Sequence, residues 1–196
     1  MKTVFIIPLM FTRDDLSKIN PEIPEDYESK SEEFWNYVND KLKIPLMIQK
    51  IYCDSVTKAK LETALEFIKK SNEKAYSIIE RFMKEGAKLQ VTEDPILLEE
   101  SASWARMLSQ DSSSPATQEL FTQSIADREK FVVKSIGESL NEGEMALLFL
   151  SPGRRTGDYF PSGIRVIKIQ PFDPTDYLNS WIVSLQMKEE KVKPNQ

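Results

Sequence analysis

Met145-Ala146-Leu147-Leu148-Phe149-Leu150, followed by Ser151-Pro152-Gly153-Arg154-Arg155, is the stretch that decides the fold. Six apolar residues without polar alternation are the pattern of a strand buried on both faces, which implies helices on both sides of a parallel sheet. The strand stops in a small-residue loop that carries two arginines. In α/β proteins the crevice beyond the carboxyl ends of the strands is where ligands are held, so this loop marks the expected site. Upstream, Arg128 to Leu140 reads as a helix, and Asn141-Glu142-Gly143-Glu144 as the tight turn that delivers the chain into the strand. Downstream, Ile164-Arg165-Val166-Ile167-Lys168-Ile169 reads as a further strand.

The same alternation extends outward. Thr3 to Met10 is nearly continuously apolar and reads as a central strand, with Pro8 expected at its end because proline removes a ladder donor. Ser31, followed by Glu32 and Glu33, predicts a helix cap with an acidic first turn, and Phe34, Val38 and Leu42 one apolar face. Leu46 to Cys53 predicts a second strand. Thr57 to Glu85 predicts helix divided at Ser71-Asn72, with Gly86 as the residue closing it. Lys88 to Val91 predicts a short strand. Thr92 is expected to cap a helix whose first positions hold Glu93, Asp94 and Pro95. A long helix is predicted from Thr117, and Asp173-Pro174 predicts the start of the last one. A charged tail begins at Lys188, and its last residues, 190–196, are expected to fray. The expectation is therefore α/β, a single domain over 1–196 with a mainly parallel β-sheet and helices on both faces.

Composition narrows the chemistry. The chain has 196 residues, enough for one well-cored domain, with 40% hydrophobic and 29% charged residues, an ordinary balance for a soluble globular protein. A net charge of -5 argues against nucleic acid as the main partner. No run of 18 apolar residues exists for a membrane span, and a cytoplasmic location is expected. Histidine is absent, which removes the usual general base and the commonest metal ligand. One cysteine, Cys53, precludes an internal disulfide or a cysteine-rich zinc site. With six glycines, the chain has neither a dinucleotide fingerprint nor a phosphate loop, and no cofactor or metal is expected. Carboxylate, arginine, lysine, tyrosine and hydroxyl groups remain.

Four short motifs carry a resemblance. They are Ile7-Pro8-Leu9-Met10-Phe11-Thr12-Arg13-Asp14-Asp15, Thr92 to Leu98, Asp127-Arg128-Glu129-Lys130-Phe131, and Leu140 to Phe149. Together they make the chain resemble a prokaryotic family of roughly 200 residues similar to the TraB and erythromycin-esterase-like group. The resemblance implies a site at the strand ends built from two histidines, a glutamate and an arginine. Glu93 and Arg128 match the last two. The histidine positions fall at Phe11 and near Arg154, so half of the constellation is missing.

From these residues the expected site comprises Thr12, Arg13, Glu93, Arg128, Ser151, Arg154 and Arg155 around a small anionic ligand. Two adjacent guanidiniums on a loop suit carboxylate or phosphate. The alternative is a metal-independent hydrolase with Glu93 as general base and Arg128 or Arg154 at the developing oxyanion. A third reading is a structural subunit that forms a homo-oligomer through tryptophan or phenylalanine faces. For Glu93 and Asp94 the plainer account is stabilisation of a helix dipole, worth about 0.3–1 kcal/mol.

Overall fold

The computed structural model describes residues 1–10, 13–19, 23–44, 46–111 and 114–192. Five strands, β1 (Lys2–Pro8), β2 (Ile48–Cys53), β3 (Lys88–Gln90), β4 (Met145–Leu150) and β5 (Ile164–Lys168), form one sheet in the order β3-β2-β4-β1-β5. Every pairing is parallel, so the sheet is more uniform than expected. Pro8 is the last residue of β1, opposite Leu150, and the ladder continues past it through Leu9 N–H donating to the Leu150 carbonyl at 2.7 Å.

Alternate residues of the central strands feed two separate cores, as the two-residue period of a strand requires. Phe5, Ile7, Ile51, Leu147 and Phe149 point to one face. There they meet α2 (Tyr27–Lys41), α3 (Ala64–Ser71), α4 (Glu73–Lys84) and α7 (Pro174–Val192). Val4, Ile6, Tyr52, Ala146, Leu148 and Leu150 point to the other face, against Val132 and Ile136 of α6 (Pro115–Ser139). A short helix, α1 (Arg13–Ile19), follows β1, and α5 (Pro95–Gln110) packs against α6. Each fully buried Leu, Ile or Phe contributes about 1.5–3 kcal/mol, which is why six consecutive apolar residues in β4 are needed.

Several helix ends differ from the sequence reading. α2 begins at Tyr27, a turn before Ser31, because Tyr27 is itself buried and brings the first turn onto the core. The break at Ser71-Asn72 is real, and the Asn72 side chain caps α4 by accepting from Ala75 N–H at 3.0 Å. Gly86, at φ 106°, closes that helix in the left-handed region where glycine has no Cβ penalty. α7 runs to Val192, and residues 193–196 of the tail expected to fray lie outside the described residues. The cap of α5 is Asp94, whose carboxylate accepts from Ile96 N–H at 2.8 Å and Leu97 N–H at 3.1 Å, with Pro95 as the first helical residue. Thr92 instead accepts from Cys53 N–H at 3.1 Å and ties β2 to the segment after β3. Glu93 therefore stands before the helix, not in its first turn.

The turn into β4 is secured by Glu144, which accepts from Asn141 N–H at 2.7 Å and pairs with Lys50 at 2.9 Å. The Asn141 backbone bond and Lys50 hold its carboxyl at about 2, well below the ordinary carboxylate value.

Among the described residues, no helix is long and apolar enough to cross a membrane.

Candidate functional site

β4 lies between β2 and β1, so the segments that leave the carboxyl ends of these strands meet at one place. The backbone confirms the junction: Asp54 N–H donates to the Phe149 carbonyl at 2.9 Å, and Ser151 N–H donates to Asp54 Oδ2 at 3.1 Å. Beside it, Thr92 and Glu93 N–H both donate to the Val56 carbonyl, which carries Glu93 to the end of β2. Gly153, at φ 82°, lets the chain turn back immediately after β4 and aims Arg154 inward.

Five charged side chains converge there. Arg154 is the hub. Its Nη1 donates to Asp54 Oδ1 and to Glu93 Oε1, each at 2.8 Å, and its Nε donates to Glu129 Oε1 at 2.7 Å. Arg128 grips Glu93 with two bonds, Nη2 to Oε1 at 2.8 Å and Nε to Oε2 at 3.2 Å, and donates from Nη1 to Ser101 Oγ at 3.1 Å. Its Nη2 is also 3.7 Å from Asp54. Glu129 takes two further donors, Arg155 N–H at 3.2 Å and the Thr156 hydroxyl. All five side chains are at least 89% buried, with Glu93 fully so.

The charge count is three carboxylates to two guanidiniums, an excess of one negative charge in a site that water does not screen. The two acids that share a hydrogen bond respond in opposite directions. Burial, and then the bond to Asp54, raise the Glu93 carboxyl above its ordinary value against the pull of Arg128 and Arg154. Burial also works against Asp54, but Arg154, the Glu93 and Ser151 bonds and Arg128 together hold its carboxyl low. Of the two, Glu93 is the carboxyl pushed toward its neutral form, because burial and the neighbouring Asp54 outweigh the guanidiniums there and not at Asp54. The linkage signs oppose. Asp54 contributes stability above its unfolded value and loses it as pH falls through its lower folded value; the raised Glu93 carboxyl favours the fold below its unfolded value and loses that contribution as pH rises through its folded one.

Of the residues expected from sequence, Glu93, Arg128 and Arg154 are brought into direct contact, and Ser151 joins them through its backbone N–H. The Arg155 side chain points outward, 80% exposed, and pairs with Asp158 at 2.7 Å. Arg13 is exposed and pairs with Glu28 at 2.7 Å, away from the cluster. Thr12 and Phe11 lie outside the described residues. The account of Glu93 as a stabiliser of a helix dipole does not fit a side chain committed to two arginines, although it does fit Asp94. Sequence reasoning missed Asp54, Glu129, Ser101 and Thr156. For Glu129 a signal was present: it stands three and seven residues before Val132 and Ile136, on the helix stripe that faces the core. A carboxylate on such a stripe requires a buried partner.

Among the described residues, no group of three or more acidic or thiol ligands is arranged to hold a metal ion. The Arg154 guanidinium stands between the three carboxylates instead, with a polar nitrogen on each.

Two clefts flank the loop after β4. One, of about 290 Å³, opens toward α3 and is floored by Asp54; the other, of about 360 Å³, lies between Ser151, Arg154 and Arg155 and the start of α7.

Fold and site together define an open, all-parallel α/β protein with a buried charge cluster at the carboxyl edge of its sheet. No protein-family model matches the chain, and neither the curated proteins nor the solved structures searched contain a match.

Proposed function

We propose that the chain is a non-catalytic binding protein that holds a small anionic ligand outside the carboxyl ends of its strands. The observation that carries this reading is the second cleft. Ser151, Arg154 and Arg155 line one side of it, and Lys168 at the end of β5 lines the other. Lys168 has no ion-pair or hydrogen-bond partner among the described residues. Three acids also line the cleft: Asp158 is engaged with Arg155 at 2.7 Å and Asp173 with Thr175 N–H at 2.8 Å, and Asp176 is exposed in the first turn of α7. On this reading the chain is a degenerate relative of the TraB and erythromycin-esterase-like group. The adjacency of Glu93 and Arg128 supports the relation; their mutual commitment argues against turnover. A general base needs a lone pair within reach of substrate, and Glu93 lines neither cleft. The hydrolase alternative draws on the raised Glu93 carboxyl but lacks that access.

The test is calorimetric titration of the full chain with inorganic phosphate. Saturable binding is expected, and Lys168→Gln is expected to weaken it about tenfold, equivalent to about 1.4 kcal/mol. An unchanged affinity in that variant, or no binding of phosphate, sinks the reading.

A second reading, a self-associating subunit, is favoured by the hairpin of α5 and the first half of α6. Ser101 is the only buried residue of α5. Ile96 is 75% exposed, and Met107 and Leu120 are each nearly half exposed. Half-buried Trp104 and Phe121 add to an apolar surface that neither core absorbs. Such faces mark contact sites. If the hairpin pairs with a second copy, light scattering gives twice the chain mass, and Ile96→Glu combined with Met107→Glu returns it to the monomer; a wild-type monomer at high concentration removes this reading.

A further inference from the structure

The cleft toward α3 is a different place with different chemistry. It lies over the ends of β1, β2 and β4. The chain leaves β1 and β2 toward the α2–α4 face of the sheet, whereas from β4 it leaves toward the α6 face. A crevice opens where neighbouring strands part in this way, and open parallel sheets hold ligands there. The walls are mainly apolar, built from Leu9, Met10, Ile68 and Pro152, with Phe67 at the mouth. Phe67 is 58% exposed, an aromatic ring left in water beside an apolar slot. Among the described residues lining the cleft, Asp54 is the only charged one.

Two features show that the Asp54 end is built with some care. Ser55 adopts φ 67°, a left-handed conformation that a serine rarely takes, and its N–H thereby caps Asp54 Oδ1 at 3.1 Å. Asp54 Oδ2 accepts the Ser151 backbone N–H at 3.1 Å, while the Arg154 guanidinium is on Oδ1. Behind it, the cluster has three carboxylates for two guanidiniums, and Asp54, paired with Arg154 at 2.8 Å and held low, is the one of the three that lines the cleft. A carboxylate in that setting favours a cation or a strong donor over an anion. The thiol in the lining, Cys53, is kept in its neutral form because burial pushes it up.

We propose that this cleft binds a small organic ammonium ion, its apolar body between Ile68, Met10 and Phe67 and its ammonium head on Asp54. The volume of about 290 Å³ suits a body of roughly six to ten heavy atoms, at the small end of ligand pockets. The site is separate from the anion cleft, and the two proposals stand or fall independently.

Three probes of equal length decide the matter: hexylammonium, hexan-1-ol and hexanoate, titrated into the full chain at pH 7 and followed by ligand-observed NMR. Hexylammonium is expected to bind saturably and at least tenfold more tightly than hexan-1-ol, with hexanoate weakest. Asp54→Asn should remove the preference for the amine, although that substitution also disturbs the cluster. Ser71→Phe avoids the difficulty: Ser71 is exposed on the rim at the end of α3, and a phenyl group there blocks the slot without touching a charged residue. It is expected to reduce hexylammonium binding at least tenfold with the urea midpoint unchanged, while Lys168→Gln leaves it intact. Hexanoate binding as well as hexylammonium, absence of saturable hexylammonium binding, or an indifferent Ser71→Phe variant each overturns the proposal.

Discussion

Arg154→Ala is expected to lower the folding stability by about 3–5 kcal/mol, the cost of removing one partner from a buried ionic network. The size follows from the hub position. Without Arg154, Asp54, Glu93 and Glu129 are left with Arg128 alone, which touches Glu93 closely and Asp54 only at 3.7 Å. Glu129 then has no charged partner. The pH dependence changes as well. Buried carboxyls that have lost their cation have folded values above their unfolded ones, so they bind protons more tightly in the folded state. Stability of the variant then rises more steeply as pH falls from 7 toward 5 than that of the wild type, in which the two guanidiniums oppose the rise of the Glu93 carboxyl and the lowered Asp54 carboxyl, ionised at both pH values in either state, adds no change. Urea unfolding of both proteins at the two pH values measures the effect. A loss below about 1 kcal/mol with no recovery in acid would show that water reaches the cluster and that its charges are screened.

Glu129→Ala comes second, at about 3 kcal/mol, or a fall in Tm of roughly 6–12 °C for a chain of this size. The cause is different. This substitution leaves two carboxylates against two guanidiniums, so the charge balance improves, and the cost is one of unmet hydrogen bonds. Four donors lose their acceptor: Nε and Nη2 of Arg154, the Arg155 backbone N–H and the Thr156 hydroxyl. A buried donor without a partner costs about 1–3 kcal/mol, and a hydroxyl can turn to another acceptor more readily than a backbone amide can. Thermal unfolding by circular dichroism gives the answer. If Glu129→Ala proves as costly as Arg154→Ala, net charge is not what separates the two.

Both substitutions bear on function through the same geometry. Arg154 separates the two clefts: it lines the one proposed for an anion, and it holds Asp54, which floors the other. The cluster therefore forms part of the walls of both clefts. It also accounts for why Arg128 and Arg154, which in sequence look like free anion ligands, act mainly on carboxylates of their own chain. The anion reading consequently rests on Lys168 and Arg155, which keep solvent access.

Much of the architecture was legible in local pattern. The unbroken apolar run from Met145 to Leu150 implied a strand covered on both faces, and the alternation of such runs with helical stripes implied a parallel sheet. Asn72 and Gly86 marked helix ends correctly because capping and left-handed closure act within a few residues. Thr92 misled because threonine caps helices and also accepts from strands, and only the proximity of Cys53 N–H selects the second role. Glu93, Arg128 and Arg154 could be singled out as residue types at strand ends and helix faces. Asp54 could not, since an aspartate after a strand looks like any loop acid.

By itself, then, the sequence determined the element types, the two-faced sheet and the edge at which charge would gather, because periodicity and capping are properties of neighbouring residues. Tertiary structure decided the strand order, and with it the partners. Placing β4 between β2 and β1 brings Asp54 within 2.8 Å of Arg154, a hundred residues further along the chain. Which carboxylate meets which guanidinium, and which of the acids is raised and which lowered, follow from that insertion. No local pattern encodes it, because strand order is settled by how whole faces pack and local periodicity is the same in every order.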